Sequence, residues 1–594
     1  MSMTTSGYPY TDRSLPISQR VADLTERLPL ADKAGLMFHT MVTVGRDGGV
    51  ADSDQRFGLP SLQTMVTKRR MNHFNLLGAA ATVRELAQWH NAAQQLAAGT
   101  GLGIPITFST DPRHAFTDNP GTAMMSGLFS QWPEPLGLAA IGDPATVERF
   151  ADIARQEYVA VGLRVALHPQ IDLATEPRWS RISGTFGEDA DLTARLVVAY
   201  LRGFQGAELG TTSVAAMVKH FPGGGPQLDG EDPHFEYGRE QVYPAGRFDH
   251  HLAPFRAAIE AGGSQIMPYY GMPVGTEYEE VGFAFSQQII SGLLRDQLGF
   301  QGIVCTDWGL LTDVEVLGQW MPARAWGVEE LSREERAIKI IEAGVDQFGG
   351  EACPQLIIDL VKAGRVPERR IDESVRRLLT EKFVLGLFDD ARYVDAVAAG
   401  EIVGRSDFRA AGEQAQRDAM TLVTNTEPSG EPTLPAPLAL RLYLEGIDPS
   451  AAAAFGTVVD DPAEADLALV RLRTPYEPRT SGFEAMFHAG SLTFPDAERD
   501  RIVALCDAMP TVIDIYLERP AVFPEIIDAA AAVLADFGAS DEAVLDVIFG
   551  GSEPKGRLPF DLPRSMAAVE ASAADAPFDT KDPIFRFGHG LGYR

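Results

Sequence analysis

A short apolar run, typically closed by a polar residue and followed by a helical segment, recurs six times in the chain. The runs are Ile104 to Asp111, Leu163 to His168, Val214 to His220, Gln265 to Tyr270, Ile303 to Asp307 and Gly344 to Phe348. Strands that alternate with helices must lie parallel, because the return path runs through the helix. Six such units in about 300 residues imply an α/β fold with an N-terminal (β/α)8-type barrel. In a barrel of that kind the polar residues at the strand ends converge on one face.

The opening elements are less regular, so an irregular barrel is expected. Val21, Leu24, Leu28 and Leu36 follow a helical period that Pro29 interrupts, which predicts two short helices acting as a lid or entry element. Arg69 to Ala98 reads as one longer helical pattern. Ser286 can cap a helix with the stripe Ile289, Ile290, Leu293, Leu294 and Leu298, and Glu373 to Leu387 reads as a closing amphipathic helix. These assignments put the barrel domain at 1–388. Residues 389–405 have no firm period and form the expected linker. From 406 to 594 a helix leads into further strands near Leu422-Val423, Leu438 to Leu444, Leu467 to Val470, Val512 to Leu517 and Val533 to Phe537. This is a smaller α/β sandwich domain.

A net charge of −31 over 594 residues repels nucleic-acid phosphates and anionic membranes, so neutral or cationic small molecules are the expected partners. Cys305, Cys353 and Cys506 are too few and too widely spaced for a disulfide framework or a metal site. Residues 1–8 carry neither a basic nor an apolar leader pattern, from which a cytoplasmic location is expected. The longest apolar runs, such as Ala529 to Ala535, are far short of the roughly 20 residues of a membrane span.

The stretch Leu298-Gly299-Phe300-Gln301-Gly302-Ile303-Val304-Cys305-Thr306-Asp307-Trp308 delivers a carboxylate to the mouth of the barrel. Another strand ends in Lys219-His220-Phe221-Pro222-Gly223-Gly224-Gly225. Phosphate-cradling loops have their glycines before the lysine, and here the order is reversed. A cation and an imidazole at that place suit neutral hydroxyls.

These residues, with Pro177-Arg178-Trp179-Ser180-Arg181, Phe186-Gly187-Glu188-Asp189, Gly556-Arg557-Leu558-Pro559 and Phe587-Gly588-His589-Gly590-Leu591, resemble glycoside hydrolase family 3, the β-glucosidase group. The resemblance implies a retaining exo-acting mechanism on β-glucosides or oligosaccharides, with Asp307 as nucleophile and no cofactor or metal. It also implies that Asp111, Arg181, Lys219, His220 and Tyr270 bind sugar hydroxyls. Trp308, next to Asp307, is placed either to stack on the leaving-group sugar or to pack in the core. Other sugars (β-xyloside, β-N-acetylglucosaminide, α-arabinoside), a non-catalytic sugar-binding relative and a homodimer are left open. Arg178 competes with Arg181, one of the two being an ion-pair partner for Glu188 or Asp189.

The proton donor has three candidates. In the family it is often a glutamate from a loop of the second domain, and Glu477, after Pro475-Tyr476, occupies the corresponding stretch one position early. Glu484 lies further along the same loop. A branch of the family uses an Asp-x-His dyad instead, which Asp232-Pro233-His234 offers, displaced by two residues.

Overall fold

Eight parallel strands close into a barrel in chain order: β1 (Phe38–Thr43), β2 (His73–Leu77), β3 (Thr107–Thr110), β4 (Leu163–Ala166), β5 (Ala215–Phe221), β6 (Gln265–Pro268), β7 (Ile303–Trp308) and β8 (Gln347–Gly349). The computed structural model describes residues 7–44, 50, 58, 60–78, 80–116, 127–425, 432–480 and 482–593. Residues 1–6 of the N-terminal stretch considered above lie outside it. The barrel is complete. Its departures from regularity are local register shifts, as between β5 and β6 and between β7 and β8.

Two expectations about the opening elements are corrected. His73–Leu77 is a fully buried strand and not the start of a helix, which begins at Val83 behind a capping box made by Thr82 and Glu85. A five-residue buried strand has no period of its own to separate it from a neighbouring helix. The helices Ile17–Arg27 and Leu30–Leu36 do not form a lid. They brace the closing helix Glu368–Val384, with Lys33 Nζ 2.8 Å from Glu368 Oε1 and 2.7 Å from Asp372 Oδ1.

Residues 389–405, the expected linker, are structured. They contain the helix Ala396–Ile402, capped by Asp395, and the Gly404 amide donates to Glu157 Oε1 at 2.6 Å. The second sheet runs β9 (Thr421–Asn425), β10 (Leu440–Glu445), β11 (Gly456–Val459), β12 (Leu467–Arg473), β13 (Thr511–Tyr516) and β14 (Ala532–Asp536), in the spatial order β9-β14-β13-β12-β10-β11. Only β9 is antiparallel to its neighbour. Side chains alternate across this sheet. Val470, Ile513 and Val533 join the core that continues into the barrel, while Leu469, Val512 and Leu534 face the helix Asp541–Ile548.

Polar contacts also tie the domains. Glu188 of the barrel domain is 6% exposed, and its two carboxylate oxygens accept the Asp561 amide at 2.6 Å and the Phe578 amide at 2.8 Å. Burial pushes this carboxyl from 4.5 up to about 8, against those two hydrogen bonds. A folded-state value above the unfolded one means stability that is full below pH 4.5 and is lost as pH rises through 8. Urea unfolding of the wild type is expected to show a decline on the order of 5 kcal/mol across that window. Glu188→Gln, which cannot ionise, should show a flatter profile.

Candidate active site

Asp307 is the penultimate residue of β7, at the C-terminal face of the barrel, and is 7% exposed. Its Oδ1 accepts the Trp308 amide at 2.8 Å, while Oδ2 is buried with no hydrogen-bond partner among the described residues. Tyr270, just after β6, fixes the backbone that carries it. The Tyr270 hydroxyl donates to Trp308 O at 2.8 Å and accepts from Trp308 N at 2.9 Å. Burial, with Asp307 adjacent, drives the phenol well above its ordinary range and keeps it neutral.

The glycine-rich turn after β5 is shaped by close approach. A Cβ on Gly225 would lie 1.8 Å from Leu173 O, and one on Gly224 would lie 2.8 Å from the Tyr269 ring. Such proximity lets Asp172 gather the turn. Its carboxylate accepts His220 N at 3.1 Å, Gly224 N at 2.5 Å and His220 Nδ1 at 2.7 Å. Burial raises the Asp172 carboxyl to about 6 in spite of these bonds. His220 Nε2 is 3.2 Å from Arg181 Nη1 and 3.9 Å from Asp307 Oδ2. Burial, and then the Arg181 charge, hold the imidazole well below its ordinary value. Its partners define a neutral ring, with Nδ1–H donating to Asp172 and Nε2 accepting from Arg181.

Asp111, just beyond β3, accepts from Lys219 Nζ at 3.3 Å and from Asn75 Nδ2 at 2.9 Å. Burial would raise its carboxyl, but Lys219, Asn75 and Arg181 outweigh that and keep it ionised. Arg181 is likewise held charged: burial opposes the charge, and Asp232, Asp307 and Asp172 overcome it. Arg178 does not reach the cavity. It forks onto Glu176 at 2.9 Å, so its ion-pair partner is neither Glu188 nor Asp189.

Asp232 and His234 stand on the loop after the glycine turn. Asp232 Oδ1 is 2.6 Å from His234 Nδ1, and Asp232 Oδ2 accepts Trp179 Nε1 at 3.0 Å and the Tyr269 hydroxyl at 3.1 Å. Burial works against the Asp232 charge, yet His234 and Arg181 carry its carboxyl below the ordinary range. Burial lowers the His234 imidazole, with Asp232 resisting. The ring stands edge-on to Tyr270 at 4.7 Å and lies 5.0 Å from Phe487 of the second domain.

Asp111, Arg181, Lys219, His220, His234, Tyr270, Asp307 and Trp308 all line one cavity of about 270 Å³. Asn75, Arg324, Leu317, Phe483, Met486 and Phe487 join them without having been singled out from the sequence. Asn75 was hidden by the misread β2, and the apolar group carries no motif at all. Glu477 and Glu484 stand outside the lining. Glu477 is exposed beside Gly490, its amide donating to Ala489 O at 2.9 Å, and Glu484 Oε1 accepts the Tyr237 hydroxyl. Among the described residues no group of three or more His, Cys, Asp or Glu is placed to hold a metal ion.

The sequence matches the Glycosyl hydrolase family 3 N terminal domain over residues 62–381 and the Glycosyl hydrolase family 3 C-terminal domain over residues 325–593. It is 53% identical to a probable beta-glucosidase C of Aspergillus flavus, over 98% of this chain and 92% of the relative. To a periplasmic beta-glucosidase/beta-xylosidase of Dickeya chrysanthemi it is 41% identical, over 98% and 91%. Its fold matches a beta-glucosidase from Listeria innocua with a TM-score of 0.75 at 20% identity, over 97% of this chain and 83% of the other. The cytoplasmic location expected from the N-terminal residues gains no support from these relatives, one of which is named periplasmic.

Asp172 supplies the clearest structural test of the site. Asp172→Ala leaves three buried donors without an acceptor and should cost about 3–5 kcal/mol in urea unfolding.

Proposed function

The chain belongs to glycosyl hydrolase family 3, and on that footing we propose that it is a retaining exo-β-glucosidase, releasing glucose from the non-reducing end of β-glucosides. Asp307 Oδ2 carries this reading: one carboxylate oxygen, with no hydrogen-bond partner among the described residues, sits in a cavity ringed by Asp111, Lys219, His220 and Arg181. Those groups offer both donors and acceptors to a sugar's hydroxyls, with Asp111 able to grip two adjacent ones. Asp307 Oδ2 attacks the anomeric carbon as the glycosidic C–O bond breaks, giving a glycosyl-aspartate that water then hydrolyses. His220, committed to Asp172 and Arg181, orients and does not exchange protons.

The proton for the leaving oxygen comes from His234 in this proposal. With Nδ1 bound to Asp232, Nε2 is the nitrogen that gives the proton and then takes one from the attacking water. Glu477 is the competing donor. It lies on a second-domain segment that Arg519 fastens to the barrel, Arg519 Nη1 donating to Arg178 O at 2.9 Å and Nη2 to Pro475 O at 2.6 Å. Glucose against xylose in the sugar site is read from a panel of 4-nitrophenyl glycosides. The relative from Dickeya chrysanthemi carries both activities in its name.

Asp307→Asn should keep its fold and its glucose binding while hydrolysis of 4-nitrophenyl β-glucoside drops by about 10⁴-fold or more. Retained hydrolysis would refute the assignment. The His234 shift fixes the sign of the pH profile. Its donating form requires protonation and its imidazole is lowered from 6.5, so the alkaline limb of kcat/KM should lie below 6.5. His234→Ala should abolish that limb and respond to added azide. Should Glu477→Gln do this and His234→Ala not, the acid is Glu477.

A further inference from the structure

The cavity wall is uneven in chemistry. Its charged and hydrogen-bonding groups come from the barrel strand ends, interspersed with Met41, Leu77, Leu167 and Met267, while Val314, Val316, Leu317, Phe483, Met486 and Phe487 supply a continuous apolar side. The apolar group belongs to a small cluster separate from the cores of both domains. It is assembled from a barrel-domain hairpin, Val314–Val316 paired with Gln319–Met321, and from the second-domain segment around Phe483 to Phe487.

Leu317 is the informative residue. Val316 pairs with Gln319, so Leu317 and Gly318 alone make the turn, and their φ angles are +51° and +79°. A two-residue hairpin turn with both φ values positive favours Asn-Gly or Asp-Gly, and a leucine there is strained. Such strain persists where the side chain is wanted. Here that side chain lines the cavity that holds Asp307. The second domain also holds the turn in place: a Cβ on Gly482 would lie 3.0 Å from Leu317 O, and the Glu484 amide donates to Gln319 Oε1 at 3.0 Å.

Resting on the β-glucosidase reading above, we propose that this apolar wall is the aglycone site, that Leu317 determines its specificity, and that the preferred leaving group is an alcohol with an alkyl or aryl skeleton. Beside this wall Arg324 and His234 are the polar groups among the described lining residues, so a second sugar placed against it would bury hydroxyls on carbon, and unmet hydroxyls disfavour binding. An apolar alcohol loses nothing there and gains the burial of its carbon surface.

A ladder of n-alkyl β-glucosides from methyl to octyl, with cellobiose alongside, tests this on the full chain. Expected is a rise in kcat/KM of about threefold to fourfold per methylene until the wall is covered, with octyl at least about 100-fold above methyl and cellobiose near methyl. Leu317→Asn suits the turn better than leucine does, so Tm should hold or rise while the octyl-to-methyl ratio falls about tenfold. A flat ladder, or a variant that loses Tm and both substrates in equal measure, overturns the inference and leaves β-glucosidase activity standing. Absence of hydrolysis on every β-glucoside of the ladder overturns that activity and this inference with it.

Discussion

One buried carboxylate, Asp172, holds the site in register. It lies on the segment that follows β4, and that segment is bound to the end of β5 by backbone bonds: Ile171 N donates to Lys219 O at 2.7 Å and Lys219 N to Pro169 O at 3.0 Å. The Asp172 side chain adds three more contacts to the turn beyond, two of them to His220. Lys219 is thereby aimed at Asp111, and the free face of His220 at Arg181 and Asp307. The glycines that follow serve this arrangement by letting the turn approach Leu173 and Tyr269 closely. Their function is steric and does not involve phosphate.

The site works by pushing neighbouring titratable groups in opposite directions. Half-buried Asp111 and buried Asp232 are held ionised by cations and donors, while His220 is buried and held neutral. His234 is drawn both ways, lowered by burial and supported by Asp232. Groups whose environments separate their proton affinities can take distinct roles at one pH. In the proposed mechanism a nucleophile, a set of fixed hydroxyl binders and a proton donor would thus share one cavity of about 270 Å³.

What was legible in the sequence follows from burial. β3 to β8 lie in a parallel sheet covered on both faces, so each reads as an apolar run, and the residues closing most of them are the ones the cavity collects. β2 was lost because five buried residues beside a helix have no period of their own, and Asn75 was lost with it. Asp172 gave no signal, because a brace that touches only other protein groups has no motif. Helix Ala396–Ile402, within the expected linker, is too short for an amphipathic pattern to show. The proton donor was the least legible. Whether a loop residue of the second domain reaches Asp307 depends on how two domains dock, and no local pattern encodes that.

Docking also explains why the two sides of the cavity differ in kind. The sugar side is built from strand ends of a single barrel, where backbone pairing fixes positions and charged groups can be buried because each has a partner. The other side is made where two domains meet, through side chains that require only apolar contact. Phe487 and Phe483 lie 5.0 and 5.9 Å from the His234 ring, so the second domain meets that ring through carbon. Small shifts between domains would break hydrogen-bonded recognition but are absorbed by Phe and Met side chains, which repack without leaving polar groups unpaired. A site divided in this way can keep one sugar geometry fixed in the barrel while the interface changes what the sugar is attached to.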